Sequence, residues 1–270
     1  MGTKTTTPAT RNPSAATTPA ATTTTSTPLE GQVALITGGA RRLGSAIARR
    51  LHAGGATIAV HYRSSASEAD ALVTELNATR TGSAATFHCD LLDVPAISTL
   101  VAAVTQRFGR LDVVVNNAST FYPTPIGTIT PAQFDDLVGT NLRAPLFVAQ
   151  AAAPELRKTR GLILNMADIH GQRPLREHAV YSVAKAGLVM LTRSLARELG
   201  PEIRVNAIAP GPVLWPEHGM SAALQAEIVG KTALGRSGSP EDIAQAAFFF
   251  VAEAPYVTGQ VLAIDGGRSI

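Results

Sequence analysis

Short apolar runs that alternate with longer helical patterns predict a doubly wound α/β domain, a seven-stranded parallel sheet with helices on both faces. Two further observations support it. The runs are apolar throughout and do not alternate with polar residues, which means burial on both faces of the sheet. The 270 residues, 45% of them hydrophobic and 16% charged, suffice for one sizeable core. No internal repeat and no second domain is visible.

In chain order, the run Val33–Thr37 leads through a glycine-rich turn into a helical pattern over Leu43–Ala53. Thr57–His61 precedes a helix over Ser67–Ala78, and Ala85–Cys89 precedes one over Val94–Phe108. Val113–Val115 is followed by a long helical stretch, Ala132–Leu156, and Leu162–Asn165 by Ala179–Leu199. Val205–Ile208, the helix Pro240–Ala252 and the last run Val261–Ile264 complete the series. Several of the helical stretches open on a capping Ser, Thr or Asp and close on Gly.

Residues 1–28 are almost entirely Thr, Ala, Pro and Ser, with nothing large to bury, and read as a disordered tail before a domain over 29–270. A cleaved targeting peptide is the alternative, but the segment lacks an apolar stretch and an Arg-rich amphipathic face. Lys4 and Arg11 of this tail supply two of the three net positive charges, and the remaining basic residues are scattered among acids. Nucleic acid is therefore not an expected partner. No window reaches the ~18 apolar residues of a membrane span. The single cysteine, Cys89, excludes an internal disulfide and a cysteine-based zinc site. No metal is expected, and a reducing, cytoplasmic setting fits.

Chemistry-bearing residues cluster after the strands. The turn Thr37-Gly38-Gly39-Ala40-Arg41-Arg42-Leu43-Gly44 joins a strand to a helix start, as a dinucleotide pyrophosphate requires, although an ordinary glycine-rich turn reads the same way. After the second strand, His61-Tyr62-Arg63-Ser64-Ser65 carries no acid to repel a 2′-phosphate, and Arg63, Ser64 and Ser65, with Arg41 in support, favour NADP over NAD. A solvated basic loop is the bland alternative. Tyr181 and Lys185 share a helical face, where a nearby ammonium would lower the phenol pKa and make it an acid/base group. By itself that spacing is common.

The turn, Asn116-Asn117-Ala118, Asn141, Tyr181/Lys185, Pro210-Gly211 and Asp265-Gly266-Gly267, in this order, resemble the short-chain dehydrogenase/reductase family over about Gly31–Ile270. The resemblance implies a single Rossmann-type domain with Tyr181 as the acid/base, Lys185 on the nicotinamide ribose and Asn141 ordering a relay water. It also implies that Asp90 and Leu91 flank the adenine. Asn117, Ala118 and Ser119, with Met166, Pro210, Gly211 and Val213, would line the rest of the cofactor.

Two departures narrow the substrate. Most members have a Ser thirteen residues before the Tyr to donate to a carbonyl, but residue 168 is Asp, and an ionised carboxylate only accepts hydrogen bonds. Either a substrate presents N–H groups to Asp168, or a protonated Asp168 donates; both fit C=N reduction in a nitrogen heterocycle. The second departure is Arg42, where the family usually has glycine. With the run Ser119-Thr120-Phe121-Tyr122-Pro123, these features are similar to the pteridine reductase branch. That resemblance implies an NADPH-dependent homotetrameric enzyme that reduces pterins or folates. In it Phe121 would stack on the pterin, Ser119 and Arg42 bind its polar edge, and Leu214 and Trp215 form a substrate loop. Phe121 as a core or lid residue, and Leu214 and Trp215 as plugs for a neighbouring helix, are the structural alternatives. A 3-oxoacyl-type carbonyl reductase and a catalytically silent NADP-binding protein are the competing functions.

Overall fold

The computed structural model describes residues 1–3, 27–215 and 220–270. Most of the Thr/Ala/Pro tail expected to be disordered therefore lies outside the described residues. The strands are β1 (Val33–Ile36), β2 (Thr57–Tyr62), β3 (Ala84–His88), β4 (Val113–Asn116), β5 (Leu162–Met166), β6 (Arg204–Pro210) and β7 (Val261–Ile264). They form one sheet in the order β3-β2-β1-β4-β5-β6-β7, and every pairing is parallel.

The described helices are α1 (Arg42–Ala53), α2 (Ala66–Thr79), α3 (Val94–Phe108), α4 (Pro131–Val138), α5 (Ala144–Thr159), α6 (Ala179–Leu199), α7 (Ala222–Gly230) and α8 (Pro240–Phe248). Successive strand residues face opposite sides, and that alternation divides the core in two. Ala34, Ile36, Ile58, Val60, Val113, Val115 and Leu164 pack with α1, α2 and α8, while Val33, Leu35, Ala59, Val114, Ile163 and Val205 pack with α3, α5 and α6. The chain reverses its winding between β1 and β4, which opens a crevice beyond their carboxyl ends, where α/β sheets bind ligands.

Three expectations need correction. The helix expected over 132–156 is broken: a π-helical turn, Gly139–Arg143, separates α4 from α5, because the Asn141 side-chain amide bonds the Leu137 carbonyl and the Thr120 carbonyl. The helix expected over 240–252 likewise ends at Phe248 and continues as a second π turn, Phe249–Glu253. Burial on both faces fails at β7, where Leu262 and Ala263 are exposed. Helix α7 gave no sequence signal, since its apolar residues follow no 3.6-residue period and none is buried.

Candidate active site

The glycine turn after β1 is built for close approach. Gly38 is left-handed (φ +57), and a Cβ there would sit 3.0 Å from the Ala118 Cα; one on Gly44 would sit 2.4 Å from the Gly38 carbonyl oxygen. Asn117 clasps the turn from β4, its Nδ2 donating to the Thr37 and Gly38 carbonyls at 2.9 Å each. Helix α1 begins with no side-chain cap and no acid in its first turn, so its N-terminal N–H groups and positive dipole face the crevice uncompensated. Arg42 opens this helix with φ 53, a left-handed backbone that costs a non-glycine residue roughly 1–2 kcal/mol.

His61 holds the turn from the side. Its Nδ1 accepts from the Gly38 N–H at 3.1 Å, so Nε2 carries the proton and donates to the Cys89 carbonyl at 3.0 Å. Burial lowers its pKa to about 4, against the pull of the Cys89 carbonyl, so the imidazole is neutral. Both ring nitrogens are thus engaged by the protein. The strut ties the ends of β1, β2 and β3 into one rim.

A cavity of about 360 Å³ opens over this rim. It brings together Gly38, Arg41, Arg42, Leu43, Gly44, His61, Tyr62, Arg63, Ser64, Ser65, Asp90, Leu91, Asn117, Ala118 and Ser119 from the expected cofactor set. Ala40, Leu92, Thr120 and Thr140 also line it, and motif reading missed them because they are wall residues with no characteristic chemistry. Met166, Tyr181, Lys185, Pro210, Gly211 and Val213 lie outside its lining. Arg41 pairs with Glu68 of α2 at 3.5 Å, both side chains about half exposed. A surface pair of this kind is worth little and yields to a stronger anion.

At the far end, Tyr181 Oη donates to Asp168 Oδ2 at 2.7 Å, and the His170 amide donates to Asp168 Oδ1 at 2.8 Å. Both carboxylate oxygens are acceptors. Tyr181 is buried, and its pKa is raised well above that of a free phenol, first by burial and then by the Asp168 charge and hydrogen bond. This corrects the expectation that Lys185 would lower it. Lys185 is itself buried, donates from Nζ to the Met166 carbonyl at 2.7 Å and stands 5.6 Å from the Tyr181 ring centre. Burial lowers its pKa to about 8, with Asp168 pulling the other way.

Asn141 is fully engaged. Its Nδ2 donates to the Thr120 carbonyl (2.9 Å) and the Leu137 carbonyl (3.0 Å), while its Oδ1 accepts from Ser119 Oγ at 2.6 Å. Its side chain therefore fixes the 119–121 stretch. Phe121 stacks on His178 (4.6 Å between ring centres, 16°) and meets the Tyr181 ring edge-on at 4.8 Å. At 47% exposure, Phe121 is not a core residue. His178 was missed, although it lies one helical turn before Tyr181 and the same spacing logic reaches it. Val213 is buried in the main core, Leu214 packs against that core, and the Trp215 carbonyl accepts from Arg42 Nη2 at 3.3 Å. The next residues, 216–219, lie outside the described structure.

A family model described as enoyl-(acyl carrier protein) reductase matches residues 38–269. The chain belongs to the short-chain dehydrogenase/reductase family. It is an oxidoreductase of that family. Pteridine reductase 1 of Leishmania tarentolae is 37% identical over 279 residues, covering 88% of this chain and 96% of that one. The 3-oxoacyl-[acyl-carrier-protein] reductase FabG of Staphylococcus aureus (strain Mu50 / ATCC 700699) is 34% identical over 238 residues, covering 87% and 96%. Among solved structures, a blue fluorescent protein from a metagenomic library, in complex with NADPH, superposes with a TM-score of 0.84 at 34% identity, covering 90% of this chain and 99% of that one. Among the described residues no helix is long and apolar enough to cross a membrane, and no cluster of three or more His, Cys, Asp or Glu residues is placed to hold a metal.

Proposed function

We propose that the protein is an NADPH-dependent pteridine reductase that reduces a ring C=N bond of a pterin or folate. The cleft fits the cofactor on its own terms: an uncapped helix N-terminus, a glycine turn with no room for side chains, and a basic, hydroxyl-rich edge at Arg63, Ser64 and Ser65. Arg41, Arg63, Ser64 and Ser65 would hold the 2′-phosphate, Asp90 and Leu91 the adenine, and Lys185 the nicotinamide ribose. Met166, Pro210, Gly211 and Val213 would close the nicotinamide end. When bound, NADPH supplies the hydride.

The observation that carries the substrate reading is the Tyr181–Asp168 hydrogen bond. A residue that accepts through both oxygens suits the N–H groups of an aminopterin edge and opposes a ketone oxygen. Tyr181, with its raised pKa, stays protonated through neutral pH and serves as the proton donor to ring nitrogen. Phe121 offers a flat apolar face for a bicyclic ring beside that phenol, with Ser119 and Arg42 as polar partners. The Leishmania relative supports this reading. The Staphylococcus relative supports the common scaffold, but carbonyl reduction needs a donor where Asp168 stands.

The test is NADPH consumption with dihydrobiopterin and, separately, with a 3-oxoacyl thioester. Turnover of the pterin alone is expected. Turnover of the thioester alone would establish a carbonyl reductase, and cofactor binding without either would establish a silent binding protein.

A further inference from the structure

We propose that His178 is a positioning residue for the substrate ring: it covers one face of Phe121 and fixes the plane in which Phe121 meets a flat bicycle beside the Tyr181 phenol. The inference rests on the pterin reading above and adds to it the side chain that orients the ring platform. Phe121 lies in a stretch, Asn117–Pro123, with neither helix nor strand, and it is 47% exposed, so the rings around it set its orientation. Two of them are in contact: His178 stacks on it at 4.6 Å and 16°, and Tyr181 stands across it at 81°. The stack is the contact that defines a plane, because near-parallel rings share one.

His178 is anchored without help from Phe121. Its Nδ1 lies 2.9 Å from the Arg176 carbonyl oxygen, which can only accept, so Nδ1 carries the proton and donates. The His178 backbone N–H donates to the Leu175 carbonyl at 3.2 Å, and the Thr124 N–H to the Glu177 carbonyl. Thr124 and His178 form an isolated parallel bridge, so the stretch that carries Phe121 is joined to the start of α6, where Tyr181 stands one turn further on. Glu177 adopts a left-handed backbone, φ 64, and a non-glycine residue keeps that conformation where its surroundings require it. His178 therefore transmits the position of α6, and with it that of Tyr181, to the ring against which the substrate lies. A platform oriented in advance spares the substrate part of the ordering cost of binding. Such a residue acts on ring binding and not on the proton or the hydride, so its loss is read in KM.

The experiment uses the full-length protein, with NADPH oxidation in the presence of dihydrobiopterin and calorimetric titration of NADPH. Two substitutions separate the ring from its hydrogen bond. His178→Asn keeps an N–H donor for the Arg176 carbonyl and removes the ring; His178→Phe keeps a ring and removes the donor. His178→Asn is expected to raise the KM for the pterin by about 5- to 10-fold, the range of one lost aromatic pair, with kcat and NADPH affinity unchanged. His178→Phe is expected to keep the wild-type KM, and in a Phe121→Leu background His178→Asn is expected to add nothing. A raised KM in His178→Phe, a normal one in His178→Asn, or an undiminished effect of His178→Asn in the Phe121→Leu background would overturn the positioning role. Should His178→Asn lose NADPH binding through misfolding, His178→Phe decides alone by the same criterion. Wild-type protein that binds NADPH and turns over no pterin would overturn the pterin reading, and the positioning role with it; a failure confined to the variants leaves that reading intact.

Discussion

Both oxygens of Asp168 accept hydrogen bonds, one from Tyr181 Oη and one from the His170 amide. Replacing the carboxylate with a hydroxyl, Asp168→Ser, removes the acceptor for a pterin N–H and the partner of Tyr181. Pterin turnover is expected to fall by about 10²-fold or more, within the range of lost acid–base assistance, with NADPH affinity unchanged by calorimetry. Retained pterin turnover would make Asp168 structural. Lys185 gives a pH signature: it is cationic below its pKa of about 8 and loses that charge as pH rises through it. Hydride transfer in a single turnover is therefore expected to decline above about that pH, and a profile flat across it would contradict a role for the ammonium. At His61, neutral and doubly bonded, His61→Phe leaves the Gly38 N–H without its partner. An unsatisfied, partly buried donor costs about 1–3 kcal/mol, so NADPH affinity is expected to weaken by roughly 5- to 150-fold. An unchanged dissociation constant would show that the strut does not set the turn.

At the level of elements, the junction of β2 and α2 is where cofactor preference is expected to be set. Arg63, Ser64 and Ser65 line the cavity there, and the Glu68 carboxylate of α2 is held by Arg41. NADPH is expected to be preferred over NADH by at least about tenfold, or ~1.4 kcal/mol, and Arg63→Ala to narrow that margin through NADPH affinity. Equal kinetics with both cofactors would refute it. The sheet was legible in the sequence because strands buried on both faces read as unbroken apolar runs: all seven are found within two residues of their expected bounds. The gathering of the expected glycines, arginines and serines around one cavity was legible for a similar reason, since all of them stand in turns that follow strands. The π turn at Gly139–Arg143 was not, because its cause is a tertiary bond from Asn141 to Thr120 that leaves the local apolar period intact. The electrostatics of Tyr181 were misread from spacing alone. Helical periodicity places Lys185 on its face, but only the fold shows that burial and Asp168 outweigh the ammonium.

On the scale of the whole molecule, two of the places where apolar side chains are exposed bear on assembly. Val183 and Met190 of α6 and Leu146 of α5 are exposed on one side, and Leu262 of β7 with Phe249 on another. Two separate apolar faces suit an assembly with two kinds of contact, as in a homotetramer. Sedimentation at micromolar concentration is expected to give a tetramer, and a monomer would defeat this reading. The two-sided core also explains why the reacting groups come from distant parts of the chain: β4, β5 and α6 deliver Ser119, Asp168 and Tyr181 to one end of the crevice whose other end is the β1 turn. In the reaction proposed above, NADPH would give its hydride to a C=N carbon and Tyr181 a proton to the adjoining nitrogen. Mass spectrometry of the products formed from NADPH deuterated at the transferable position of nicotinamide C4 tests it most directly. One deuterium on a ring carbon of the reduced pterin, and no 3-hydroxyacyl product formed from a 3-oxoacyl thioester, is the predicted result; an unreduced pterin beside a labelled 3-hydroxyacyl product would contradict it.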